Sequence, residues 1–267
     1  MSNAVTIRQG KLRERKLRLV RRGIRFYGLA NGVICTEGLD ADDVWRRLHD
    51  DAGKSDPRYF GYDGARARFQ KFFPNGFHSE GFASQERTFK LELKKKLDST
   101  APLEQALEVG GLGESVLAVY RSNLLSPYEV IPMQNLLRGP NADSFIQAAA
   151  RFATNATSST LLELDRVLKP HDCAKWTIAT YLPFLWQPES HMFLKPEATK
   201  DFAVRVGHSF ASVYESRLDF DVYASLLNLA DKTASELIDL APRDQIDIQS
   251  FIWIVGYYRE DREAVYP

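Results

Sequence analysis

Side chains able to do chemistry crowd into one short stretch, KWTIATYLPFLWQPESHMFLKP, residues 175–196. It carries Lys175, Glu189, His191 and Lys195 among two tryptophans and three prolines. A plain core helix would not be interrupted by Pro183, Pro188 and Pro196, because each proline removes a backbone donor and crowds the preceding turn. Ordered loops on rigid scaffolds are where binding and catalytic side chains are commonly held. A second group lies in PRDQIDIQSFIW (242–253), where Asp244, Asp247 and Gln249 sit among Ile246, Ile248, Phe251 and Ile252. A carboxylate in so apolar a helix must be paired. Asp247 is therefore either the buried partner of Arg243 or Arg205, or a member of an active site. Glu92-Leu93-Lys94 matches the acid-x-Lys element of metal-dependent nucleases, or else belongs to a charged amphipathic helix. Arg66, Arg68 and Asn75, beside the FPNGF turn, either reach phosphates or cover a helix face.

Several chemistries have no residues to carry them. The chain holds no P-loop, no G-x-G-x-x-G after a strand and no G-x-S-x-G elbow. Gly110, Gly111 and Gly113 in EVGGLGES match none of these and read as a helix-entry turn. Two cysteines, Cys35 and Cys173, give no disulfide framework and point to a reducing compartment. Five histidines and two cysteines show no zinc-ligand spacing, so neither a metal nor another cofactor is expected. No apolar run approaches the roughly 18 residues of a membrane span. The expectation is a cytoplasmic protein without membrane contact. A composition 44% hydrophobic and 26% charged is that of an ordinary globular chain.

The zero net charge of the 267 residues conceals an asymmetry. Residues 1–25 hold nine bases against Glu14 alone, or +8, so the other 242 residues carry −8. Such an arm is either a solvated basic helix or a segment that meets a polyanion. The second reading makes Arg18, Arg21, Arg22 and Arg25 phosphate contacts, with DNA as the partner.

The elements that must position these groups are mostly helical. IRFYGLANGVICTE (24–37) puts two β-prone runs around Asn-Gly and predicts a hairpin. Asp40 or Asp42 would cap a helix through Leu48, and Asp63 one over GARARFQKFF, with Pro-Asn-Gly turning into the next helix, RTFKLELKKKLD. Further helices are expected at 101–109, 113–122, 126–138, 142–154, 158–168, 172–186, 197–206, 221–230, 233–240 and 245–258. The fold class is thus mostly α: an irregular multi-helix domain with a small N-terminal β-hairpin and basic arm. A composition shift near residue 100 separates a basic, hairpin-bearing part (1–100) from a helical part (101–267).

Taken in order, LLELDRVLKPHDCAKWTIATYLPFLW followed by HMFLKPEATKDFAVRVG resembles the core of the helix-hairpin-helix DNA glycosylases. The first helix is Leu161-Leu162-x-Leu164, the second begins at Lys175-Trp176-Thr177, and Phe202-Ala203-x-Arg205-Val206-Gly207 is similar to the family's last element. Upstream, NLLSPYEVIPMQNLL (123–137) resembles its early Leu-Leu-Ser helix. The resemblance covers roughly residues 115–210. It departs from the family in two places: KPHDCA replaces the hairpin's Gly-x-Gly turn, and Leu194-Lys195-Pro196-Glu197 stands where the catalytic Asp is delivered. HMFLKP and RDQIDIQSFIW are also similar to segments of uncharacterised bacterial proteins, some encoded near phage-defence genes.

What the glycosylase resemblance implies is excision of a modified or damaged base from double-stranded DNA, with the nucleotide flipped into a pocket. Glu197 would stabilise the sugar cation, with Asp172 or Asp247 as alternatives. Lys195 would be the covalent nucleophile if burial lowered its pKa. Trp176, Trp186 and Phe193 would stack on the base, with His191 and Gln249 completing the pocket. Lys175, His171 and Lys200 would hold phosphates together with the arm. The same aromatics equally suit a core, His191 a hydrogen-bonded loop and Lys195 a surface charge. Two rivals remain, a non-catalytic nucleic-acid-binding subunit and a metal-dependent nuclease using Glu92 and Lys94.

Overall fold

Lys16-Leu17-Arg18-Leu19 alternates charged with apolar side chains, and there the chain is a strand. The computed structural model describes residues 4–12, 15–54 and 56–258; Arg13 and Glu14 of the basic arm fall outside them. Strands β1 (Val5–Leu12), β2 (Arg15–Arg22), β3 (Arg25–Ala30) and β4 (Val33–Gly38) form one antiparallel sheet in that order. The hairpin expected at 24–37 is β3–β4. It turns at Asn31 and Gly32, both with positive φ (49° and 86°), as a type I′ turn requires. The arm supplies the other two strands, so the element is a four-stranded sheet rather than a hairpin with a tail.

One face of this sheet is covered. Leu17 pairs with Ala30 and Leu19 with Gly28, and helix α1 (Ala41–Gly53) lies over them. Asp40 caps α1, its carboxylate accepting the Asp43 N–H at 2.7 Å. Val44, Leu48 and Ala52 recur every fourth residue along the buried side of the helix. Leu17, Ala30, Leu48 and Ala52 make a small core of their own.

The remainder is helical: α2 (Gly61–Phe72), α3 (Glu80–Phe82), α4 (Thr88–Thr100), α5 (Leu103–Glu108), α6 (Gly113–Tyr120), α7 (Pro127–Arg138) and α8 (Ala142–Thr154). Then follow α9 (Ser158–Leu168), α10 (Trp176–Ala179), α11 (Tyr181–Trp186), α12 (Pro196–Val206), α13 (Phe210–Val213), α14 (Phe220–Glu236) and α15 (Gln245–Tyr257). Asp63 lies in the first turn of α2 instead of capping it. A single apolar core runs from Ala65 to Val255 and takes residues from both sides of position 100. A π-helical turn at Ala83–Arg87 joins α3 to α4.

The segment expected as one helix over 172–186 is two short helices. The break falls at Thr180, whose hydroxyl donates to the Trp176 carbonyl (2.6 Å) and accepts the Leu194 N–H (3.0 Å). That clamp draws the HMFLKP loop against α10. The two helices expected at 221–230 and 233–240 are instead one, α14, followed by a 3-10 turn at Ile238–Leu240. Helices α12 and α15 approach so closely that a Cβ on Gly256 would lie 2.2 Å from the Ala198 carbonyl oxygen. Among the described residues no helix is long and apolar enough to cross a membrane.

Candidate functional site

The connection from α9 to α10 is a tight reversal. A 3-10 turn at Lys169–His171 leads to Asp172, which takes the left-handed conformation (φ 55°, ψ 30°). The Cys173 N–H returns to the Leu168 carbonyl at 3.2 Å, and the chain re-enters helix at Trp176. Asp172 adopts the backbone region that glycine favours, and Asp is among the few other residues that tolerate it. Burial pushes the Cys173 thiol up to about 11, with Lys175 opposing, so it remains a protonated thiol.

This turn forms one wall of a cleft of about 570 Å³. Asp165, Lys169, Asp172, Lys175 and Thr177 line that wall; Glu129 comes from α7, Pro196 from α12, and Tyr214 and Arg217 from the α13–α14 connection. Trp176 is buried, and its indole N–H donates to the Glu215 carbonyl at 2.7 Å, tying the turn to the opposite wall. It anchors the cleft and offers little free face for stacking.

Glu129 is the half-buried carboxylate of this cleft, and sequence reading passed over it. One of its oxygens accepts the Ser126 N–H (2.7 Å) and the Ser126 hydroxyl (2.8 Å), and the other accepts the Thr177 hydroxyl. Burial works to raise its pKa. The Thr177 and Ser126 hydrogen bonds and the nearby Lys195 ammonium outweigh burial and hold the carboxyl below its usual range. An ionised carboxylate therefore faces the cleft at neutral pH. The available signal was Ser126-x-x-Glu129 before an apolar run, a capping-box pattern that reads only as a helix start.

The residues expected to do the chemistry are dispersed. Glu197 lies in the first turn of α12 with its side chain 84% exposed, paired with Lys200 at 2.7 Å. The Lys200 ammonium sits 4.9 Å from the centre of the Tyr214 ring. Burial lowers the pKa of Lys195, opposed by Glu129 and aided by Lys90. Its amine donates to the Leu124 carbonyl and lies over the Phe193 and Trp253 rings. Lys195 thus backs Glu129 without lining the cleft. His171 contacts the Asn141 amide at 3.0 Å on the outer side of the turn.

Five further candidates are interior. Trp186 donates its indole N–H to the Ala101 carbonyl (2.9 Å), and Phe193 stacks on Phe184. His191 has both ring nitrogens engaged, Nε2 with the Ala153 carbonyl (2.8 Å) and Nδ1 with the Tyr223 hydroxyl (2.7 Å). Since a carbonyl can only accept, Nε2 carries the proton and Nδ1 accepts from Tyr223. Asp247 is fully buried and accepts from Arg87 (2.8 Å) and from the Arg243 amide (2.9 Å) and guanidinium (2.7 Å). Its partner is Arg243, while Arg205 pairs with Asp201. Gln249 accepts the buried Lys90 ammonium at 2.8 Å. None of these five lines the cleft.

The basic candidates divide as well. Arg66 is bound to the Glu236 carbonyl (2.7 Å) and Asp239 (3.2 Å), and Arg68 to the Val255 and Tyr258 carbonyls. Both pin α2 to the C-terminal helices. Asn75 is exposed in its turn. Arg18, Arg21, Arg22 and Arg25 are exposed on the sheet. Lys94 donates to the Trp186 carbonyl (3.0 Å) and pairs with Asp98, and Glu92 is exposed. Among the described residues no three His, Cys, Asp or Glu side chains are grouped to hold a metal ion.

The chain matches no protein-family model, no curated protein and no solved structure.

Proposed function

We propose that the chain is a DNA glycosylase of the helix-hairpin-helix kind, acting on a modified or damaged base in duplex DNA, and that the cleft beside the α9–α10 turn receives the flipped nucleotide. A volume of about 570 Å³ suits a nucleotide-sized ligand. Lys169, Lys175 and Arg217 at its edge supply charge for the phosphates flanking the extruded sugar.

The observation that carries the reading is Glu129, an ionised carboxylate facing the cleft. As the bond between C1′ and the base nitrogen breaks, its electron pair leaves with the base and the sugar becomes an oxocarbenium-like cation. A fixed carboxylate stabilises that cation, and water adds to C1′ to give an abasic site, its proton passing to solvent or the departing base. Glu129 takes the part expected of Glu197, which is held by Lys200 at the surface. Lys195 supports Glu129 electrostatically and is not assigned as a nucleophile.

A second reading follows from the same hydrogen bonds. Three donors already occupy Glu129, as a helix cap alone would arrange them, and this favours a non-catalytic DNA-binding module. One experiment separates the two. Labelled duplexes bearing normal, damaged and hypermodified bases are incubated with the protein in EDTA and then treated with hot alkali. The glycosylase reading expects alkali-dependent breaks at one base type, lost in Glu129→Gln and retained in Glu197→Gln. Intact strands at every base, with folded protein still bound to the duplex, would leave the binding module.

A further inference from the structure

The antiparallel register sorts the basic arm onto two faces. Residues paired across an antiparallel ladder share a face. Leu17, Leu19 and Arg21 pair with Ala30, Gly28 and Phe26 on the side covered by α1, where Arg8 also lies, 2.5 Å from Asp42. Lys16, Arg18, Val20 and Arg22 face the other way, with Lys11 and Gln9 of β1 and Tyr27 and Leu29 of β3. Among the described residues α1 is the helix that packs extensively on the sheet, and Val20 and Leu29, though themselves buried on the outer face, belong to neither core cluster. Lys16 and Arg18, two residues apart, are about 6.8 Å apart along the strand, the axial rise of two base pairs. Among described residues 4–38 eight bases face one acid, Glu37. Glu37 makes an exposed ion pair with Arg25 at 3.3 Å, a contact of small worth that frees Arg25 readily.

The outer face ends at an apolar tip. Strands β2 and β3 join through the two-residue turn Gly23–Ile24, whose glycine has φ +62° and nothing within 4 Å of where its Cβ would be. Ile24 is 81% exposed with Arg22 and Arg25 on either side, and the Arg22 guanidinium is held 6.0 Å from the centre of the Tyr27 ring. An apolar side chain on a narrow tip, flanked by arginines, is the arrangement by which proteins wedge open a base step from the minor groove and bend the duplex.

We propose that the β2–β3 hairpin bends duplex DNA, with Ile24 inserted at a base step and Lys16, Arg18, Arg22 and Arg25 neutralising the adjoining phosphates. The inference rests on the preceding reading for duplex DNA as the partner and is independent of base excision. Bending toward the major groove eases extrusion of a nucleotide, since the step is already unstacked.

The test uses the full chain and a 30-base-pair duplex carrying a dye at each end. Binding is followed by anisotropy over a salt series and bending by energy transfer. The wild-type chain is expected to raise energy transfer. Ile24→Ser should lose most of that rise with less than about a threefold change in Kd, and Ile24→Phe should keep it. The pair Arg18→Ala and Arg22→Ala should lower the slope of log K against log salt by about 2, whereas Arg21→Ala should leave it unchanged. Unchanged energy transfer in Ile24→Ser overturns the proposal. So does equal affinity for single strands, for duplex RNA or for vesicles of anionic lipid. Bending without any abasic product would sink the glycosylase reading alone, and abasic product without bending would sink this one alone.

Discussion

Around Asp247 the donors outnumber what a catalytic carboxylate could spare. Arg87 and the amide and guanidinium of Arg243 saturate both oxygens, and Arg87 continues to Asp244 at 2.6 Å. Removing Asp247 leaves Arg87 with Asp244 alone and strips the partly buried Arg243 of its carboxylate, and taking one partner from a buried ion pair typically costs about 3–5 kcal/mol. Asp247→Ala should accordingly lower the urea unfolding free energy by roughly that amount without altering DNA binding per folded molecule. A loss under about 1 kcal/mol would return Asp247 to the list of functional groups. The sequence offered Arg243 or Arg205 as the partner; the fold takes Arg243, four residues upstream and just ahead of the α15 cap, and adds Arg87 from far along the chain. The sequence could not show that His191 spends both nitrogens on the core, because Tyr223 and Ala153 lie 32 and 38 residues away. Glu129 was missed for the same reason: its neighbours Thr177 and Lys195 reach it only through the fold.

At the scale of elements, local signals were legible where a few adjacent residues decide the backbone. Asn31-Gly32 specified its turn, Asp40 its cap and Ser126-Pro127 the start of α7. The first two strands went unread because arginines and lysines crowd β1–β2, although Lys16-Leu17-Arg18-Leu19 carried the period of a strand. The α9–α10 reversal was the reverse case, since KPHDCA holds no glycine and yet the turn is made, with Asp172 in the left-handed region. That predicts a contrast between two substitutions. Asp172→Gly suits the backbone and removes a negative charge from the cleft wall, so stability should hold within about 1 kcal/mol and the duplex should bind more tightly. Asp172→Val forces a β-branched residue into the left-handed region and should cost roughly 1–2 kcal/mol. Thermal unfolding of the two variants and duplex titrations with Asp172→Gly would check both. Weaker binding by Asp172→Gly would mean that its carboxylate, rather than the turn, is what the cleft uses.

For the whole molecule, three buried histidines connect separate parts of the fold to one solution variable. Burial lowers the pKa of His49 on α1, against the opposing Asp50 carboxylate, and that of His191 in the HMFLKP loop, against the Ala153 carbonyl. Burial also takes His208, just beyond α12, from 6.5 down to about 4. Asp50 and the Asn228 hydrogen bond oppose this, and Lys232 and Arg46 add to it. Each imidazole binds a proton more readily once the chain unfolds, so unfolding takes up protons below pH 6.5. Their stabilisation is therefore complete above about pH 6.5 and is lost as the pH falls toward the folded-state values. For His208 alone the drop from 6.5 to about 4 corresponds to about 3 kcal/mol, at 1.36 kcal/mol per unit. The Asp50 carboxylate, which accepts the Ser209 N–H (2.9 Å) and pairs with Lys232 (3.1 Å), sets the electrostatics beside His208, so His208→Gln tests the titration without removing that pair. Urea midpoints measured at pH 7.5, 6.5 and 5.5 should fall over the last interval in the wild-type chain and fall less in His208→Gln. Midpoints that stay level to pH 5.5 would mean that these imidazoles take up protons in the folded state. The junction of the sheet-bearing α1 with α12 and α14 would then be open to water rather than packed dry.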